Sequence, residues 1–180
     1  MARGRRIDDI TIKGASGNQL IFRNFEGVAG AYNNAGDRNF CLIIDEDLAG
    51  KLQSLGFTVK RTKGGEDYDP VPYIKIKVGF TLKDGTDNPY PPKIFKIDST
   101  GMRMLDKSNV KILDGTRLKN VDLIFSGNSY EDRVTGEIKY SAYLRNLYAE
   151  IEENDLEREY NERFAGMDSQ DPNGMPFRVD

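Results

Sequence analysis

Histidine is absent from all 180 residues, and cysteine occurs once. Without an imidazole, histidine acid–base catalysis, Ser-His and Cys-His nucleophiles and His-ligated zinc are all excluded. A single thiol, Cys41, can neither close an internal disulfide nor build a cysteine-cluster metal site. Lying inside the apolar run Phe40 to Ile44, it reads as a small buried hydrophobe of a protein from a reducing compartment. No stretch approaches 18 consecutive apolar residues, and the opening Met1-Ala2-Arg3-Gly4-Arg5-Arg6 runs into Ile7-Asp8-Asp9 with no apolar core of a signal peptide. The expectation is a cytoplasmic protein with no membrane partner. Nucleotide-binding glycine motifs are missing too. The one G-x-x-G, Gly14 to Gly17, lacks the flanking helical patterns of a KH clamp and reads as a loop. Carboxylates, lysines and hydroxyls remain, and nothing in their spacing gathers them into a catalytic site. A binding protein without a cofactor or metal, rather than an enzyme, is the expectation.

What the chain does contain is enough for a core and a charged surface. Apolar residues make up 38% and charged ones 31%, with 9 Phe and 9 Tyr, which suits one globular domain. The net charge of −3 is uneven: residues 1–148 carry 23 basic and 19 acidic side chains, whereas 149–180 carry 3 and 10. The division predicted is a mildly basic domain over 1–150, read below as OB-like and nucleic-acid-binding from its strand faces, followed by an acidic helix and disordered tail over 151–180.

In Tyr73-Ile74-Lys75-Ile76-Lys77-Val78-Gly79-Phe80 the even positions are apolar and the odd ones polar or aromatic, the period of a half-buried strand. Lys139 to Arg145 repeats it, with Tyr140, Ala142 and Leu144 on one face and Lys139, Ser141, Tyr143 and Arg145 on the other. Further strands are expected at 20–25, 38–44, 56–62, 93–97 and 118–126, bounded by Gly, Asn, Asp or Pro. Asp45 is placed to cap a helix carrying Leu48, Leu52 and Leu55 and stopped by Gly56, which accounts for the acidic triplet Asp45-Glu46-Asp47 without a metal. A second short helix is expected over 108–113, and Asn33 to Gly36 as a hairpin-type turn. Together these give a mainly β, β-rich α+β chain: an OB-like small β-barrel with one or two short helices and an acidic C-terminal tail.

Single strands are held by rings stacking on bases while Lys and Arg track phosphates. Tyr73 with Lys75 and Lys77, and Tyr143 with Lys139 and Arg145, offer that combination on two strand faces. Arg23 with Phe25, Arg38, and Lys60, Arg61 and Lys63 add candidates, although Lys- and Tyr-rich outer faces also suit any solvated strand and the phenylalanines also suit a core.

The runs Phe22-Arg23-Asn24-Phe25-Glu26-Gly27, Tyr32-Asn33, Gly36-Asp37-Arg38-Asn39-Phe40, Leu55-Gly56-Phe57-Thr58-Val59-Lys60, Val121-Asp122-Leu123-Ile124 and Ala142-Tyr143-Leu144, with Ile151-Glu152-Glu153-Asn154-Asp155-Leu156, extend over most of residues 20–160. They resemble proteins of the early replication and recombination regions of tailed bacteriophages, single-stranded-DNA-binding proteins of the OB type. The resemblance implies coating of unwound DNA by stacking and phosphate neutralisation, without reading of base edges. It departs where relatives carry a Pro-Pro-Arg and Trp-bearing segment: here stand Tyr90-Pro91-Pro92-Lys93 and no Trp, which moves stacking onto Tyr and Phe. The tail resembles the acidic Pro-Phe tip of bacterial single-stranded-DNA-binding proteins, with Asp168, Asp171 and Met175-Pro176-Phe177, although Arg178-Val179-Asp180 follow. This implies replication or recombination proteins as partners of Met175, Pro176 and Phe177; a homo-oligomer is left open. Two other readings stand beside this one: an inhibitor of a host defence acting through protein contacts, and a metal nuclease using acids such as Asp45, Asp47 and Asp122.

Overall fold

The alternation that marks residues 73–80 does form a strand, β5 (Pro72–Lys77), with Ile74 and Ile76 buried and Lys75 and Lys77 exposed. The computed structural model describes residues 6–163. In chain order the other strands are β1 (Arg6–Ser16), β2 (Leu20–Asn24), β3 (Asn39–Ile43), β4 (Lys60–Arg61), β6 (Lys93–Asp98), β7 (Gly101–Leu105), β8 (Leu118–Glu131) and β9 (Ile138–Ile151). The helices are α1 (Glu46–Leu55), α2 (Ile112–Gly115) and α3 (Asp155–Arg163). The chain is mostly β, as expected, and its single many-stranded sheet is consistent with an OB-like fold. Among the described residues no helix is long and apolar enough to cross a membrane.

The sheet runs β1-β8-β9-β5-β3-β2, with β4 added to β5 and the β6–β7 hairpin added to β9. Its two ends are one piece of chain, because β1 passes into β2 through a single 3₁₀ turn at Gly17–Gln19. The corner needs a glycine: a Cβ on Gly17 would lie 1.7 Å from the Leu118 carbonyl oxygen. Ser16 and Gln19 cap the turn reciprocally, side chain to backbone, and satisfy amides that the corner would otherwise orphan.

The core sits inside this curved sheet, with Phe40 and Leu42 of β3, Ile74 and Ile76 of β5, Leu123 and Phe125 of β8, and Leu144 and Leu147 of β9. Leu144 and Leu147 break the period of two. Phe125 pairs with Leu144 and Ile124 with Asn146, so Arg145 is an extra residue on β9 and the inward phase shifts there. Strand β9 also changes partners at this bulge. Its free edge pairs in parallel with β5 through Lys77↔Tyr143, then with β6 from Lys93↔Asn146 onward.

α1 forms as its caps demand: Asp45 accepts from the Leu48 amide at 2.7 Å, and Gly56 takes the left-handed conformation at φ 105°. The acidic segment expected to be helical contributes α3, while the tail with Met175, Pro176 and Phe177 lies outside the described residues.

Several expectations are corrected. β1, missed in the sequence, is bulged between Ile7 and Ile10 and again between Ile12 and Ala15, which scrambles its alternation. The G-x-x-G spans the end of this strand and the corner rather than a loop. β7 was also missed, a short edge strand whose Met102 and Met104 are exposed. The strand expected over 56–62 shrinks to β4. The helix expected over 108–113 begins only at Ile112, because Asp106 accepts from the Ser108 amide at 2.8 Å and holds that segment in a turn. The segment 33–36 belongs to a longer connection in which the Asp37 amide donates to the Asn34 carbonyl.

Candidate nucleic-acid interface

The outward row of β5 reads Tyr73, Lys75, Lys77, and the parallel pairing of β5 with β9 sets Lys77 beside Tyr143. The Lys77 ammonium lies 5.5 Å from the centre of the Tyr143 ring, a cation–π contact worth about 0.5–1 kcal/mol at an exposed site. This pair sits in a cleft of about 500 Å³ that also holds Lys60, Lys75 and Lys83, with Tyr130, Tyr140 and Phe57 on its walls. Among the described residues no Asp or Glu lines it. Among the described residues none of the four lysines is in an ion pair. Four uncompensated ammonium groups in one concave surface focus a positive field, suited to a chain of phosphates.

Tyr140 faces the cleft for a different reason: its ring packs 6.1 Å from Phe57, itself edge-on to Phe125 at 5.8 Å. These rings join the cleft wall to the core. Tyr73 stands beyond the cleft, paired in register with Lys60, and meets Phe22 edge-to-face at 5.8 Å. Phe22 is 66% exposed and has φ 50°, a strained conformation for a bulky residue. Lys63 is exposed in the loop after β4. Cys41 lies on this side of β3; burial pushes its thiol pKa up, and Lys75 and Lys60 pull it down. Lys83 and Tyr130 were missed in the sequence, since neither sits in a basic-aromatic cluster and only folding brings them to residues 60–77 and 140–143.

Other candidates named from the sequence are engaged in contacts within the fold. Phe25 is fully buried and stacks on Phe40 at 5.2 Å, so its ring is unavailable to a base. Arg23 donates to the Leu113 and Thr116 carbonyls at 2.9 and 2.6 Å; burial lowers its pKa, and nearby Asp114 opposes that. Arg38 donates to the Phe25 carbonyl at 2.6 Å and to the Lys107 carbonyl at 3.0 Å, with its guanidinium over the Phe80 ring. The Asp114 carboxylate accepts from the Phe25 and Glu26 amides. The run 22–27 thus ties β2 to α2, and Arg38 ties the start of β3 to Phe25 and Lys107.

Arg61 grips Glu46 through two bonds of 2.6 and 2.7 Å, which lowers the Glu46 pKa and raises its own. Lys139 is held by Asp132 at 2.8 Å. Arg145 is partly exposed at the β9 bulge, its Nε 3.9 Å from Asp9. Among the acids of the nuclease reading, Asp45 caps α1 and Asp122 accepts from the Gly14 amide at 2.7 Å, where it supports the second β1 bulge.

A family model described as "Putative phage ssDNA-binding domain" matches residues 2–171. No curated protein sequence matches significantly. Among solved structures, the single-stranded DNA-binding protein of bacteriophage Enc34 is similar at 9% identity and a TM-score of 0.46, over 81% of this chain and 82% of that one. Its complex with ssDNA is similar at 7% identity and a TM-score of 0.45, over 81% and 88%. A family match across residues 2–171 covers nearly the whole sequence, and the chain belongs to this family of phage single-stranded-DNA-binding domains.

Proposed function

We propose that the protein binds single-stranded DNA independently of sequence during phage DNA replication or recombination, with the lysine cleft as its centre. Membership of a single-stranded-DNA-binding family supplies the ligand. The observation that carries the site is the cleft itself, with Lys60, Lys75, Lys77 and Lys83, the Tyr143 ring and, among the described residues, no carboxylate. The ammonium groups neutralise phosphates, and Tyr143 and Tyr73 offer ring faces for bases. Among the described residues no guanidinium fork is presented for a base edge in this cleft, which favours binding without sequence readout. Lys63 extends the positive surface, and Arg145, Lys139 and Arg61 join it by exchanging their carboxylate partners for phosphate.

The division at residue 150 keeps its functional meaning in this reading: 1–150 hold DNA, and the acidic end, with Met175, Pro176 and Phe177, meets replication or recombination proteins. A fluorescence-polarisation titration of labelled oligo-dT against a duplex of equal length, repeated across salt, tests the proposal. Tighter binding of the single strand, weakening as salt rises, is expected. Equal affinity for duplex, or no binding at low salt, overturns it.

A further inference from the structure

We infer that the DNA strand does not end at the lysine cleft but continues into a second subsite built around Tyr90 and Arg145, an inference that rests on the proposed single-strand binding. The two sites are joined at the place where β9 exchanges β5 for β6. Past Lys77↔Tyr143 the chain leaves the sheet, and pairing with β9 resumes at Lys93↔Asn146. The gap opens a second cleft of about 700 Å³, lined by Tyr90, Pro91, Lys93, Met104 and Arg145 among others.

The β9 bulge leaves Arg145 without a cross-strand partner at this gap, two residues from Tyr143, or about 6.7 Å along a strand. A bulge is a device that re-aims a side chain. Gly79 and Asn88 bridge the two clefts. The Asn88 side-chain amide donates to the Gly79 carbonyl at 2.7 Å, and its oxygen accepts from the Tyr90 backbone amide at 2.9 Å. A Cβ on Gly79 would lie 3.9 Å from the Tyr143 ring and 3.8 Å from Asn88, so Gly79 is the bare floor between Tyr143 and the Asn88 clamp.

Tyr90 itself is 78% exposed, yet its backbone is held on both sides. Pro89 and Pro91 flank it, the second restricting Tyr90 to extended conformations, and Asn88 fixes its amide. An exposed ring on a restrained backbone loses less entropy when a base stacks on it than a ring on a free loop. Charge agrees with that occupant: the lining carries Lys93, Lys107 and Arg145 against Asp87 and Asp106. Asp87 is already bound by Lys107 at 2.6 Å, and Arg145 is held only by a long 3.9 Å pair to Asp9 outside the cleft lining, a pair that a phosphate can displace.

The test uses the full-length chain and two lengths of labelled oligo-dT, about 4 and about 16 nucleotides, the ends of the range held by one OB fold. Tyr90→Ala is expected to weaken binding of the long oligonucleotide by about 5- to 150-fold, the loss of one stacked base. Binding of the short one, which fits the lysine cleft alone, should stay unchanged, and Tyr90→Phe should restore the long one. Unchanged affinity for the long oligonucleotide in Tyr90→Ala overturns the second subsite, as does an equal loss on both lengths. If in the same series Tyr143→Ala weakens both lengths, the lysine cleft stands and only its continuation has failed. If the unaltered protein binds neither length, the proposed function has failed instead.

Discussion

Replacing Lys60, Lys75, Lys77 and Lys83 together by Gln removes the four ammonium groups of the cleft while keeping side chains of similar reach. All four are exposed and none is in an ion pair among the described residues, so the fold should not change. If each neutralises one phosphate, each contributes about −0.7 to the slope of log affinity against log salt on a single strand, and the set about −2.8. A roughly fourfold rise in salt should then weaken the unaltered protein by about 50-fold more than the variant. Single variants should each flatten the slope by about 0.7, in contrast to a control at Lys51 on α1, which should leave it unchanged. Polarisation titrations of labelled oligo-dT at several salt concentrations read the slopes, with thermal melts by circular dichroism on the same samples. A folded fourfold variant whose slope matches that of the unaltered protein refutes the placement of phosphates in this cleft.

Three further outcomes are expected. Phe25→Ala should destabilise the fold by about 3–5 kcal/mol in denaturant titrations, the cost of emptying a packed aromatic site, while the folded fraction binds DNA normally; a normal melt with weakened binding would return Phe25 to the DNA site. Asp132 is held down from 3.8 to about 2, first by the Lys139 ammonium and then by the Val134 and Thr135 amides. Because its folded pKa lies below the unfolded one, its stabilisation is present above about pH 4 and is lost as pH falls towards 2. Asp132→Asn should therefore flatten the acid limb of a stability–pH profile in that window, and an unchanged limb refutes the assignment. Deleting residues 166–180 removes Asp168, Asp171 and Asp180 with Arg178; the shortened protein should hold oligo-dT at least as tightly, since a tethered acidic segment competes with DNA for a basic surface, and weaker binding by a folded truncation contradicts that competition.

Local rules made several elements legible without a structure. The period of two in residues 73–77 depends only on the pleat of a strand and the apolar character of Ile74 and Ile76. Asp45 and Gly56 bound α1 through capping and a left-handed turn, which belong to the adjacent backbone alone. The contrast between the body and the acidic end is a count of charges. That Tyr143, Lys75 and Lys77 belong to a basic-aromatic face was also readable from spacing.

Which of the basic and aromatic residues face a common cleft was decided by pairing between distant segments. Phe22 and Phe25 look alike in sequence, yet one ring is exposed beside Tyr73 and the other is buried against Phe40. Arg23 and Arg38 read as phosphate contacts, and only the fold shows carbonyls at their guanidinium groups, because a donor's partner lies wherever the chain returns. Lys83 and Tyr130 carry no local signal and gain their place from the parallel contact of β5 with β9. The bulge at Arg145 inverts the inward phase of β9, so Leu147 is buried where simple alternation would bury Asn146. Sequence alone thus determined the faces of β5, the ends of α1 and the kind of ligand they suit. The cleft required the tertiary structure, because its charges become neighbours only when a curved sheet joins strands far apart in the chain.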